Sequence, residues 1–249
     1  MVDVRFPIAD VGGLLWYRAI LPKVEPSEKL PVFYFLHGAN SDPAQVMASS
    51  PITNLAIEER LIVVLPNAEF SYYTNARHKW HARWEDAITQ ELRRDVESRF
   101  PVLIGREHTG IAGLSMGGYG AIKLTLKHPE EYGFAGSMSG ALDITEREPS
   151  WRRLQQTARL WRVFGTPAEF RHDEDVFELM HRSSSLQQVD WFVSCGEKDS
   201  LYPVNVRFAK RMEERGVPLH LRSTSGGHDW GTWDAVMPEL FRAAGARLQ

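Results

Sequence analysis

The sequence predicts an α/β fold, with a mostly parallel central sheet and helices on both faces, and three observations predict it. Short apolar runs alternate with segments of helical periodicity along the whole chain. The runs at residues 32–36 (Val-Phe-Tyr-Phe-Leu) and 61–65 (Leu-Ile-Val-Val-Leu) are continuously apolar, as in strands buried on both faces. Residues 109–127 read as strand, tight glycine turn and helix. Strands alternating with helices imply right-handed βαβ crossovers. The chain has 249 residues, 43% of them hydrophobic and 24% charged, enough for one core and one domain over 1–249.

Each element follows from its own signal. Residues 2–6 and 14–21 alternate loosely and carry Val, Leu, Trp and Tyr, so they read as antiparallel first strands joined by a turn at Gly12-Gly13. A polar loop precedes strand 32–36, which stops at His37-Gly38. Helices are expected over 44–49 and 52–60, then strand 61–65, ended by Pro66. Residues 67–84 form a long loop rich in aromatics, and loops of that length in a compact domain are commonly functional. Ile88, Leu92, Val96 and Phe100 recur every four residues and predict an amphipathic helix from Glu85. Further strands are expected at 134–138, 191–195 and 219–223, and helices at 204–215 and 233–248. Residues 143–185 are polar and rich in Arg and Glu. They read as a small helical insertion, a cap over the site.

Composition excludes several function classes. The formal net charge is −3, with 29 basic and 32 acidic residues and no basic block, so no nucleic-acid partner is expected. Cys195 is the one cysteine, which rules out an internal disulfide. No run approaches the roughly 18 apolar residues of a membrane span, so no membrane partner is expected. The first residues lack a signal-peptide pattern, so the expected location is cytoplasmic. The first strands and the aromatic loop are compatible with a homo-oligomer.

The chemistry centres on Gly113-Leu-Ser-Met-Gly117, a G-x-S-x-G pattern lying between a strand and a helix. A serine on so sharp a turn needs small neighbours, which Gly113 and Gly117 supply. A serine hydroxyl is a poor nucleophile at neutral pH. It needs a base, and the base needs an orienting carboxylate. In open parallel sheets, ligands sit beyond the carboxyl ends of the strands, so the partners of Ser115 are expected just after later strands. After strand 191–195 come Glu197 and Asp199, and Asp199 is the preferred acid, with Glu197 its rival. After strand 219–223 come Gly226-Gly227-His228, and His228 is the base. His220, inside that strand, reads as structural.

An acyl-transfer intermediate needs two preorganised N–H donors for its oxyanion. Met116, following the nucleophile, supplies one. The loop His37-Gly38-Ala39-Asn40 supplies the other, with Ala39 preferred over Asn40. Tyr72, Tyr73, Trp80, Trp84 and Trp230 are candidates for lining an apolar substrate pocket. His78 and His81 have the spacing of a metal pair but no third ligand at convincing spacing, so no metal and no cofactor is expected.

Five stretches carry a family resemblance: Phe35-Leu-His-Gly38, Val63-Val-Leu-Pro-Asn67, Gly113-Leu-Ser-Met-Gly-Gly-Tyr-Gly120, Ser139-Gly140 and Gly227-His-Asp-Trp230. With them the chain resembles the esterase D, tributyrin esterase and feruloyl esterase branch of the α/β-hydrolases, most of all the tributyrin type, which also matches at Tyr72-Tyr-Thr-Asn75. The resemblance implies an α/β-hydrolase fold, catalytic roles for Ser115, Asp199 and His228, and oxyanion donors at Ala39 and Met116. The His37-Gly-Ala-Asn40 segment departs from the loop of the formylglutathione enzymes, which weakens a glutathione-thioester reading.

The expected function is a serine carboxylesterase that hydrolyses short-chain acyl esters, such as acetyl esters of small molecules, through an acyl-enzyme. The alternatives are a feruloyl-type or S-formylglutathione-type esterase, or an acyltransferase on the same site. From another class, the chain could be a non-catalytic binding protein on a hydrolase fold, but a serine, acid and histidine in the required order argue against that.

Overall fold

The computed structural model describes residues 1–8, 13–78, 82–146, 154–166, 169 and 172–249. Four strands are buried along their whole length: β3 (Val32–Leu36), β4 (Ile62–Pro66), β5 (Thr109–Leu114) and β6 (Phe134–Met138). A strand covered on both faces has no position at which a polar residue gains from water, hence the unbroken apolar runs of β3 and β4. With β1 (Val2–Ile8), β2 (Gly13–Ile20), β7 (Asp190–Gly196) and β8 (Leu219–Thr224), they form one sheet in the order β1-β2-β4-β3-β5-β6-β7-β8. β1 pairs antiparallel with β2, and β2 with β4. All pairings from β4 through β8 are parallel. The expected fold class is therefore the observed one.

Helices cover both faces. On one face α1 (Pro43–Ser49), α2 (Ile52–Glu58) and α9 (Trp230–Leu248) bury Val46, Ile52, Leu55, Phe241 and Leu248 against Phe33, Phe35 and Val63. On the other lie α5 (Met116–Lys127), α7 (Val176–Arg182) and α8 (Tyr202–Glu214), with α6 (Leu154–Phe164) over the aromatic loop. α9 starts three residues before its expected position because the Asp229 side chain accepts from the Thr232 N–H and caps it.

The helix predicted from Glu85 is a composite. α3 (Trp84–Asp86) passes into a π-helical stretch at Ala87–Leu92 and then into α4 (Arg93–Arg99). A spacing of four drifts around a regular α-helix with 3.6 residues per turn. The wider π turn takes up that drift, so Ile88, Leu92 and Val96 are all buried on one side.

A charged cluster sits under this layer. Lys123 of α5 is fully buried, and its Nζ lies 3.0 Å from Glu85 Oε2 and 3.1 Å from Glu174 Oε2. Lys127 Nζ approaches the Glu85 carboxylate at 2.8 Å, and His128 Nε2 approaches it at 3.1 Å. The cluster ties α5 to α3 and to the short 3₁₀ turn at His172–Glu174.

A pH dependence of stability follows. Burial alone would raise the Glu85 pKa, but Lys123, His128 and Lys127 outweigh it and hold the carboxyl well below the usual carboxylate range. Its folded pKa is thus depressed, so its stabilisation is present above the unfolded value of about 4.3 and is lost as pH falls below that. Glu85→Gln should cost about 3–5 kcal/mol at pH 7, because it leaves the buried Lys123 ammonium and the half-buried Lys127 ammonium underpaired. It should also flatten the loss of stability below about pH 4.3. Denaturant unfolding at pH 7 and pH 3.5 checks this, and equal acid sensitivity in variant and parent contradicts it.

Candidate active site

Ser115 closes the step from β5 into α5 with φ 56° and ψ −112°. A left-handed φ is costly for a residue with a Cβ, and persists only where the surroundings enforce it. Here they do. A Cβ on Gly113 would lie 2.6 Å from the Leu36 and Gly117 carbonyl oxygens, and one on Gly117 would collide with Leu36 O. The first turn of α5 thus rests directly on the end of β3. Ser115 makes no side-chain capping bond to α5, so its hydroxyl is not spent on the helix.

Instead, Ser115 Oγ lies 3.0 Å from His228 Nε2, and His228 Nδ1 lies 2.7 Å from Asp199 Oδ2. With the Nδ1 proton donated to the carboxylate, Nε2 is the acceptor that faces the serine. The other oxygen of Asp199, Oδ1, accepts from the Leu201 N–H at 2.9 Å. Asp199 is 4% exposed. That burial pushes its pKa up, but hydrogen bonds from His228, Leu201 and Ser139 outweigh it and keep the carboxyl below its ordinary value. Glu197, the rival acid, is exposed.

Neighbouring side chains hold these groups. The Ser139 hydroxyl accepts from Trp233 Nε1 at 3.1 Å and sits 3.8 Å from Cys195 Sγ. The Trp233 ring meets the His228 ring edge-on, with centroids 5.1 Å apart. The sequence assigned no role to Ser139 or Trp233, which the structure places against this series of contacts. Ser139 was visible only as part of a matching stretch, and its backbone is left-handed, with φ 49°.

The loop after β3 is held by its own histidine. His37 Nδ1 donates to Gly38 O at 2.8 Å, and Nε2 accepts from the Ala68 N–H at 3.0 Å. Burial lowers its pKa, consistent with a neutral ring in that pair of roles. Arg159 Nη1 of α6 donates to Asn40 Oδ1 at 2.9 Å, and its guanidinium lies 3.7 Å from the Phe70 ring centroid.

With this geometry in place, comparison with known proteins is decisive about ancestry. Residues 16–244 match the family described as Putative esterase. The chain belongs to that family. It is 28% identical over 241 residues to the acetyl esterase of Caldicellulosiruptor saccharolyticus, across 90% of each chain. The fluorophosphonate-binding serine hydrolase F of Staphylococcus aureus has a TM-score of 0.85 at 24% identity, over 98% of this chain and 97% of that one. A ferulic acid esterase of Anaeromyces mucronatus, solved with ferulic acid, has a TM-score of 0.74 at 19% identity, over 100% and 91%. At such identities the two structures speak for the fold, which is that of the α/β-hydrolases. Family and acetyl esterase relative together make this protein a carboxylic-ester hydrolase.

The aromatic loop of this esterase differs from expectation. Tyr72 and Tyr73 were candidates for a substrate pocket, and the structure buries both rings. Tyr73 is fully buried, with its hydroxyl on His37 O at 2.9 Å. Tyr72 is 4% exposed and packed among Phe70, Tyr119 and Phe164. Trp84 is also buried but borders a cavity of about 320 Å³ that Phe70, Ala76, Ala82, Arg159 and Val163 line. Trp230 is half-buried against Trp233. Trp80 and His81 lie outside the described residues, as does the side chain of His220. His78 pairs with Glu169 at 3.0 Å, and the described residues contain no group of three or more metal-ligating side chains. No helix among the described residues is long and apolar enough to cross a membrane.

The contact between Gly117 and β3 is testable. Gly117→Ala should lower stability by about 3 kcal/mol or more, since the methyl meets backbone that cannot move aside without shifting β3. Thermal melting checks it, and a change within experimental error contradicts it.

Proposed function

We propose that this esterase hydrolyses short-chain acyl esters of small alcohols, acetyl esters foremost, through a Ser115-bound acyl-enzyme. The observation that carries the reading is the hydrogen-bonded series Ser115–His228–Asp199, at 3.0 and 2.7 Å. The acetyl esterase relative supports the choice of acyl group.

His228 Nε2 takes the Ser115 proton as Oγ attacks the ester carbonyl. The carbonyl π electrons move onto oxygen, and the N–H groups of Ala39 and Met116 receive that oxyanion. Met116 is the first residue of α5, so its N–H has no partner within the helix. His228 then gives its proton to the departing alkoxide, and the alcohol leaves. Water repeats the sequence on the acyl-enzyme, with His228 as base, and the carboxylic acid is released. Asp199 keeps the imidazole in the required tautomer and stabilises the imidazolium. No metal or redox group enters any step.

A second reading has its own observation. The cavity beside Trp84 and Phe70 is apolar and aromatic on one side and is bordered by Arg159, which touches the loop carrying Ala39. An aryl acyl group such as feruloyl would suit it.

Initial rates on p-nitrophenyl esters from acetate to laurate, with methyl ferulate alongside, separate the two. Turnover that peaks at acetate to butyrate and is abolished in Ser115→Ala supports the short-chain reading. Preference for methyl ferulate moves the second reading to the front. Turnover retained by Ser115→Ala overturns both. Asp199→Asn should lower kcat by about 10⁴-fold, because the imidazole loses its tautomer control. Glu197→Gln should stay near the parent value, and the reverse pattern would move the acid to Glu197.

A further inference from the structure

The buried cluster around Lys123 reaches the active site along one connected path. Lys123 Nζ donates to the backbone carbonyl of Tyr73 at 2.7 Å and to Thr74 Oγ1 at 3.0 Å. Tyr73 has a left-handed backbone, with φ 54°, and its N–H donates to Ser71 Oγ at 3.0 Å. Its ring lies against the Cα of Gly120, where a Cβ would come within 2.9 Å of Tyr73 Cγ. Its hydroxyl donates to His37 O at 2.9 Å. The His37 carbonyl belongs to the peptide that enters Gly38, one peptide before the Ala39 N–H. On its other side that carbonyl faces Gly117, where a Cβ would lie 2.8 Å away.

We propose that Tyr73 is a positioning residue for the oxyanion loop, setting the peptide before Gly38 so that the Ala39 N–H is held ready for the developing charge. The inference rests on the reading above that Ala39 is an oxyanion donor. Lys123 is the anchor of this arrangement. It lies seven residues after Met116 on α5, about two turns or 10 Å along the helix. One rigid helix therefore carries the first donor at its N-terminus and fixes the second through Lys123, Tyr73 and His37. Two donors referred to the same helix keep their spacing while the surrounding loops move, and such spacing is what preorganised stabilisation requires.

Several features argue that the hydroxyl, and not merely the ring, is the functional part. The ring alone would fill the space beside Gly120. The hydroxyl is fully buried and directed at a carbonyl that the strand ladder leaves unpaired, since β3 ends at Leu36. Burial pushes the phenol pKa well above its ordinary value, so it stays a neutral donor at any working pH. The loop residues it orders are backbone groups, which a mutation of the donors themselves could not remove.

Tyr73→Phe deletes one oxygen and keeps the ring packed on Gly120, so the fold is retained. With p-nitrophenyl acetate, the expected result is a kcat lower by about 10–100-fold, with KM within about twofold of the parent and a melting temperature within a few degrees. Both acylation and deacylation pass through an oxyanion, so kcat falls whichever step limits. Amide hydrogen exchange of residues 38–40 should quicken by about tenfold or more, while exchange in β5 is unchanged. An unchanged kcat, or a raised KM at intact kcat, overturns the proposal, and so does unchanged exchange in that loop. Failure of the esterase reading would show separately, as absence of Ser115-dependent turnover in the parent. The exchange measurement needs no substrate and judges the positioning claim in either case.

Discussion

The contact on which the site depends is the approach of the first turn of α5 to the end of β3. Gly117 leaves no room for a side chain because the Leu36 and His37 carbonyls occupy that space. With the helix so close, the chain leaving β5 has to reverse direction over a single residue, and Ser115 takes up a left-handed backbone to do it. The strain at Ser115 is therefore a consequence of packing that the neighbouring strand imposes, and many contacts on either side share its cost. The same approach brings the loop after β3 alongside the residue that follows the serine. The placements of the proposed nucleophile and of the proposed oxyanion donors are thus two results of one packing constraint.

Buried charge is the second theme. Placing Lys123, Glu85 and Glu174 out of water is expensive, and an apolar core of the same volume would often be at least as stable. What the ion cluster adds is direction. An ammonium group with several acceptors at 2.7–3.1 Å fixes the carbonyl of Tyr73, the hydroxyl of Thr74 and two acidic side chains from separate segments in one geometry. Greasy contacts are non-directional and would leave the 70–75 loop several near-equal arrangements. This loop carries two consecutive left-handed tyrosines, which need such external support.

Much of this was legible in the sequence where the signal is local. Continuous apolar runs announced β3 and β4, and G-x-S-x-G between strand and helix announced the elbow. Position after a strand end pointed to His228 and to Asp199, with Glu197 as its rival, because parallel sheets gather functional loops at one edge. Legibility stopped where side chains meet across long sequence separations. Tyr72 and Tyr73 read as pocket aromatics since nothing local distinguishes a buried ring from a lining one. Lys123 lies in a helical pattern as an ordinary polar position, and its partners lie about 38 and 51 residues away on opposite sides of it in the chain. The π-helical stretch was hidden in the same way. A four-residue period fits a short α-helix nearly as well, and only the fixed position of the sheet surface decides between them.

The order of strands explains the remaining architecture of the site. β5 carries the serine and β8 precedes the histidine, with β6 and β7 between them. At a strand spacing of about 4.8 Å, His228 has to return some 14 Å across the sheet edge to reach Ser115. The loop manages this by lying close on the end of β7. A Cβ on Gly196 would come within 2.6 Å of Gly226 C, and the Glu197 and Lys198 N–H groups bond Thr224 O at 2.7 Å and Gly226 O at 3.0 Å. The strand it crosses last, β6, has to fill the gap beneath the imidazole, and the residue after that strand is Ser139. Its left-handed backbone bonds Ser194 O, while its hydroxyl meets Trp233, Cys195 and Asp199. Trp233 in turn supports the His228 ring edge-on. Each strand from β5 to β8 thus contributes one support at its carboxyl end. Histidine and serine meet at hydrogen-bond distance because the two intervening strands supply the floor on which the returning loop lies.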